Sequence, residues 1–165
     1  MSASRDRRII LEEARRALEA QLAIGDRTPE LLEEACRILE HSVPWYDWVG
    51  IYLVEGDELV LAAWSGPAAT EHVRIPIGQG ICGAAAREGQ TIIVPDVRED
   101  PRYLQCFLST RSEIVVPIRR GGTVIGEIDI DSDRLAAFDE DDRVLLEWLA
   151  ERLAERLPQA GTAAV

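Results

Sequence analysis

The stretch "SEIVVPIRRGGTVIGEIDIDSD", Ser112 to Asp133, reads as two strands folded back on each other. β-Branched residues run through both arms, Glu113 to Arg119 and Thr123 to Asp131, and Gly121-Gly122 supplies the tight turn between them. In the second arm Ile128 and Ile130 alternate with Glu127, Asp129 and Asp131. The isoleucines therefore face a core, and the three acids share the opposite face at a spacing of about 6.5 Å. A half-exposed antiparallel strand with a wet polar face is one explanation. However, Asp is a poor strand former, and neighbouring carboxylates repel unless a cation lies among them. If a loop covers this face, the acids form a pocket suited to a ligand ammonium, and crowding raises the pKa of at least one of them.

Such a loop precedes the hairpin. Pro95 to Thr110 is polar and irregular, with room for one helical turn, and it carries Cys106 seven residues before Glu113. A second cysteine, Cys82, sits in Gly78-Gln79-Gly80-Ile81-Cys82-Gly83, ahead of a short helix expected over Ala84 to Glu88 and closed by Gly89. Unpaired N–H groups and the helix dipole there favour a thiolate. The third, Cys36, lies on the Leu32/Leu39 side of an amphipathic helix and reads as structural. Gly78-x-Gly80-x-x-Gly83 matches a dinucleotide fingerprint, but a lone match is weak, the helix after it is short and the flanking strands read as antiparallel, which argues against that fold. With only His41 and His72, no Cys-x-x-Cys and no ligand pair at helical spacing, no metal site is expected. Nothing calls for a cofactor. Trp45, Tyr46, Trp48, Tyr52 and Trp64 cluster around an earlier hairpin; most are core, and Trp48 and Tyr52 are candidates to wall a pocket.

The remainder frames a single α+β domain. Ile10, Ala14, Leu18 and Leu22 repeat every four residues in a helix over 6–23. Thr28 is a candidate N-cap with Pro29 at the first helical position, opening a second helix that runs to His41. Trp48 to Val54 and Leu59 to Ser65 pair around Glu55-Gly56-Asp57-Glu58. Further strands are expected over Glu71 to Ile77 and Thr91 to Val94. A last helix opens at Asp139, with Asp142 completing a capping box and Leu145, Leu149 and Leu153 facing inward. The architecture expected is one antiparallel sheet of about six strands packed against N- and C-terminal helices. Residues 1–27 form the N-terminal helix, 28–157 the main domain and 158–165 a disordered tail.

Composition limits the partners. The chain has 165 residues and a net charge of −12, which argues against nucleic acid and anionic membrane surfaces. All 18 basic residues are arginine, which excludes Schiff-base chemistry and a Walker-type phosphate loop. The opening MSASRDRRII lacks an apolar run long enough for a signal peptide, and three cysteines without a leader point to a reducing cytoplasm.

Together, "WVGIYLVEGDELVLAAWSG", "VRIPIGQGICG", "RSEIVVPIRRGGTVIGEIDIDSD" and "AFDEDDRVLLEWLAERLA" resemble a GAF domain, a PAS-like fold, over roughly 30–157. Within that superfamily the chain is similar to the free methionine-(R)-sulfoxide reductases. The resemblance implies a small cytoplasmic thiol enzyme that acts on the free amino-acid sulfoxide, is recycled by thioredoxin, and is commonly a homodimer. It assigns the catalytic cysteine to Cys106 and a second working cysteine to Cys82. It gives substrate binding to Glu113, Asp129 and Asp131. The family usually has a further cysteine where this chain has His72, and an Asp where it has Phe107. Two residues are inserted between Gly66 and His72. The expected reaction is attack of Cys106 on the sulfoxide sulfur, giving a sulfenic acid that is resolved by Cys82 or an external thiol. Two other readings stand beside it: a GAF sensor binding a small molecule without chemistry, and a Cys82/Cys106 redox switch.

Overall fold

The computed structural model describes residues 2–25, 27–105 and 107–158. Cys106, and residues 159–165 where a disordered tail is expected, lie outside the described residues.

Two helices open the chain, α1 (Ser2–Ile24) and α2 (Thr28–Ser42), followed by the hairpin β1 (Trp48–Glu55) and β2 (Glu58–Ser65). Next come a short β3 (Arg74–Pro76), α3 (Gly80–Glu88), β4 (Ile92–Val94) and a single 3-10 turn at Val97–Glu99. The second hairpin, β5 (Ser112–Arg120) and β6 (Thr123–Ser132), leads into α4 (Glu140–Arg156). All six strands join one sheet in the order β3-β2-β1-β6-β5-β4, and every pairing is antiparallel.

Several boundaries differ from the sequence reading, including the start of α1 at Ser2 rather than residue 6. Arg27, with no side-chain cap bond, precedes α2, so Thr28 lies inside the helix, and its hydroxyl donates to Arg156 O at 3.5 Å. β3 holds three residues rather than seven, because it pairs only with Glu58–Val60 at the sheet edge. α3 has nine residues and starts at Gly80, so Cys82 lies in its first turn rather than before it. At the other end of α4 the capping box is present: Asp139 accepts from the backbone of Asp141 and Asp142, and Asp142 accepts from the backbone of Asp139.

Strand alternation sends side chains into two layers. Val49, Ile51, Ile114, Val116, Ile118, Ile128 and Ile130 face α1, α2 and α4 in the main core. Leu11, Ala14 and Leu18 of α1 pack into that same core. The opposite sheet face meets α3 and the following loop through Trp48, Tyr52, Ile81, Cys82, Val94 and Val115.

Asp142 ties the helical layer together. Its Oδ1 accepts from Trp45 Nε1 and Tyr46 OH, each at 2.8 Å, and its Oδ2 accepts from Asp139 N at 2.8 Å and Arg7 Nη2 at 2.5 Å. The side chain is fully buried, so each lost acceptor strands a donor away from water. Asp142→Asn turns one acceptor into a donor facing donors. It is expected to cost about 3 kcal/mol, read as a lower urea midpoint.

Candidate active site

The site lies on the sheet face away from α1, α2 and α4. β6 is central, so its register places the acid row: Trp48 and Glu113 flank Asp131, Gly50 and Val115 flank Asp129, and Tyr52 and Pro117 flank Glu127. The row is not a wet strand face. Glu127 is 0%, Asp129 2%, Asp131 2% and Glu113 4% exposed. Both oxygens of Glu127, both of Asp131 and Oδ1 of Asp129 meet no hydrogen-bond donor among the described residues. Four buried carboxylates on one face are unfavourable unless they are protonated or meet a cation.

Their pKa values respond accordingly. Burial pushes the Glu127 and Asp131 carboxyls well above their usual range, and the Asp129 charge pushes them further. Burial raises Asp129 as well, offset in part by hydrogen bonding with Glu113 and Cys82 and by the charge of His72.

α3 brings Cys82 against this row. The Sγ of Cys82 and carboxylate oxygens of Glu113 and Asp129 all lie within 4.8 Å of one another. The sequence reading of a thiolate favoured by the helix start is overturned here. Burial raises the thiol well above its ordinary value, and the charges of Asp129, Glu127 and Glu113 add to the effect. A helix dipole is worth at most about 2 kcal/mol at such a position, less than burial beside three acids. Burial and the neighbouring acids both disfavour the Cys82 thiolate. Cys36 is also fully buried, in the α2 core.

The loop after β4 forms the roof. Leu104 lies over Gly80, where a Cβ would sit 2.8 Å from Leu104 Cδ1 and where φ is +68°. Phe107 packs on the Trp48 ring with centroids 6.0 Å apart. His72 Nε2 lies 3.1 Å from Gln105 O, donating to it when it carries the ring proton. The two neighbours of Cys106 in sequence are thus both engaged with this face, while Cys106 itself lies outside the described residues. Under the roof is a void lined by His72, Ile75, Gly80, Ile81, Cys82, Leu104, Glu113 and Asp129, with room for about one water-sized sphere.

The aromatic residues divide between the layers. Trp45 and Tyr46 belong to the helix side, bonded to Asp142. Trp48 stacks on Trp64 at 6.5 Å and walls the acid face with Tyr52, whose hydroxyl donates to His72 O at 2.9 Å. Glu127, His72 and Phe107 join the site beyond the residues picked from sequence. The period-2 alternation already put Glu127 in the row, and the resemblance had marked positions 72 and 107 only as departures from the family's motif. A larger concavity, lined by Thr91, Arg119, Arg143 and Glu147 among others, opens elsewhere on the molecule and holds none of these groups. Among the described residues no helix is long and apolar enough to cross a membrane.

Comparison with known proteins agrees with this arrangement. A family model described as "GAF domain" matches residues 8–157. GAF domain-containing protein A of Dictyostelium discoideum is 44% identical over 64% of this chain and 66% of its own length. The free methionine-R-sulfoxide reductase of Escherichia coli is 39% identical over 64% of this chain and 63% of its own. The chain thus spans just under two thirds of the length of either relative. Among solved structures, the free methionine-R-sulfoxide reductase of Neisseria meningitidis in complex with its substrate superposes with a TM-score of 0.80 at 40% identity, covering 88% of this chain and 89% of that one. By fold, by the match across almost its whole described length and by these relatives, the chain belongs to the GAF domain family.

Proposed function

We propose that this protein reduces free methionine-(R)-sulfoxide to methionine. The observation that carries the reading is the row of buried carboxylates Glu127, Asp129 and Asp131, with oxygens that meet no donor among the described residues, gathered beside Cys82 under the loop that bears Cys106. An amino-acid ammonium supplies the missing positive charge through charge-assisted hydrogen bonds. The relatives at 39% and 40% identity bear the name of this activity.

In the proposed reaction Cys106, as thiolate, attacks the sulfoxide sulfur. A carboxyl of the row held neutral at ordinary pH protonates the sulfoxide oxygen as its bond to the substrate sulfur weakens. The transient bond between the two sulfurs breaks as oxygen passes to Cys106 as a sulfenic acid and methionine leaves, the cysteine sulfur giving up the two electrons that reduce the sulfoxide. Cys82 then attacks the Cys106 sulfenic sulfur. Its proton is relayed through Glu127 or Asp129 to the departing hydroxyl, which leaves as water, and a Cys82–Cys106 disulfide remains for thioredoxin to reduce. With His72 in place of the family's further cysteine, Cys82 is the resolving thiol.

The test is thioredoxin-coupled NADPH consumption with free methionine-(R)-sulfoxide. Wild type is expected to turn over and Cys106→Ser to fall to background. Absence of wild-type turnover with both thioredoxin and dithiothreitol, or full turnover by Cys106→Ser, overturns the reading. A binding module without chemistry would bind the amino acid and leave NADPH untouched.

A further inference from the structure

We propose that the same chamber binds a single divalent cation of the zinc class, held by Cys82 Sγ and one oxygen each of Glu113 and Asp129, with His72, which lines the same void, as the fourth donor. The inference rests on the chamber of the proposed reaction and gives it a regulator: the cation and the substrate ammonium compete for Asp129.

Three observations converge. The sulfur and the two carboxylate oxygens already lie within 4.8 Å of one another and are all buried. Zinc bonds of about 2.3 Å to sulfur and about 2.0–2.2 Å to oxygen ask for a contraction on the order of 1 Å, within reach of side-chain movement. Asp129 Oδ1, on a side chain only 2% exposed, has no partner among the described residues. The void lined by Cys82, Glu113, Asp129 and His72 holds about one water-sized sphere. That is the size of an ion.

The donor set selects the cation. One thiolate, two carboxylates and an imidazole suit zinc or its tetrahedral analogues, while magnesium and calcium take oxygen shells. Binding also reverses the local cost. The metal displaces the Cys82 proton to solvent and bonds the thiolate, and its two charges neutralise carboxylates that repel when ionised. No electron moves. A Cys82 sulfur held by metal is unavailable to resolve a sulfenic acid, so the loaded form is blocked.

Cobalt(II), added to the reduced full chain without substrate, reads the site directly. One equivalent is expected to give the intense visible bands of a four-coordinate ion together with a sulfur-to-cobalt charge-transfer band, both bleached by zinc. Cys106→Ser keeps these bands. Cys82→Ser loses the charge-transfer band, and Asp129→Asn weakens binding at least tenfold. Free methionine-(R)-sulfoxide raises the cobalt concentration needed for half-occupancy. A pale six-coordinate spectrum without the sulfur band, a band that survives Cys82→Ser, or one lost in Cys106→Ser overturns the proposal. Should Cys82→Ser fail to fold, X-ray absorption of zinc-loaded Cys106→Ser decides: one sulfur at about 2.3 Å supports the site, and a shell of only oxygen and nitrogen overturns it. Reductase turnover measured in chelator tests the enzyme reading separately.

Discussion

Asp131→Asn is expected to make the ligand-free protein more stable and the proposed sulfoxide reduction much slower. Both effects follow from Asp131 being buried beside Asp129 and Glu113 without a hydrogen-bond donor among the described residues. A carboxyl raised in the folded state keeps a proton that the unfolded chain has already lost. Its stabilising contribution is complete below the unfolded value near 4 and disappears as pH climbs through the raised folded value. Burial raises Glu127, Asp129 and Asp131 alike, so the melting temperature is expected to fall between pH 5 and pH 8. Most carboxylates in paired surface sites behave in the opposite way. Removing one ionisable member flattens that slope and adds roughly 1–3 kcal/mol at pH 8, or about 2–10 °C in a domain of this size. On the proposed function, the same change takes a charged acceptor from the substrate ammonium, lowering kcat/KM by a factor on the order of 100 to 1,000. Substrate binding itself pulls the acids' pKa values down, so protons are expected to leave the protein, measurable by calorimetry in buffers of different ionisation enthalpy. An unchanged melting temperature together with full activity would remove the acid row from the mechanism.

Gly83→Ala is expected to be among the most damaging single methyl additions in the chain. A Cβ there would lie 2.7 Å from Pro76 O and 2.8 Å from Gly78 N, both backbone atoms that cannot swing away. The glycine also closes the turn that aims Cys82: its carbonyl accepts from Gly78 N and its N–H donates to Gln79 O, both at 2.9 Å. The backbone of Gly78 to Gly83 must open by several tenths of an ångström, at a cost of about 3 kcal/mol or more. The first turn of α3 moves with it, so Cys82 leaves the acids and, on the proposed function, activity falls with stability. Gly83→Ala protein with a native urea midpoint would show that this turn is looser than its contacts indicate. The clash also explains the sequence match that resembled a dinucleotide fingerprint. Gly78 and Gly80 have φ of +98° and +68°, and Gly83 permits the close approach. These are backbone demands of a tight turn, met without any phosphate.

Much of this was legible along the chain because it depends on local periodicity. The hairpin around Gly121-Gly122 appeared as expected, since glycines at φ +57° and +83° are what that turn requires. The Asp139–Asp142 capping box was readable because both partners lie within one helical turn. The edge strand β3 and the start of α3 were not. A three-residue strand carries no period, and the helix begins at a glycine at φ +68° that reads as a breaker. Trp45 and Trp48 stand three residues apart yet serve opposite layers, a division that follows only from where β1 starts.

Alternation in β6 determined that Glu127, Asp129 and Asp131 share one face, because adjacent residues of a strand must point in opposite directions. Whether that face was wet or sealed was decided by contacts remote in sequence. Phe107 settles on Trp48, Leu104 on Gly80, and His72 reaches Gln105 O. These contacts close the roof, exclude water and make ordinary carboxyls reluctant to ionise. The same closure reversed the expectation for Cys82, since a thiol's charge depends on the dielectric and the neighbouring charges around it, and neither is written in the residues beside it along the chain.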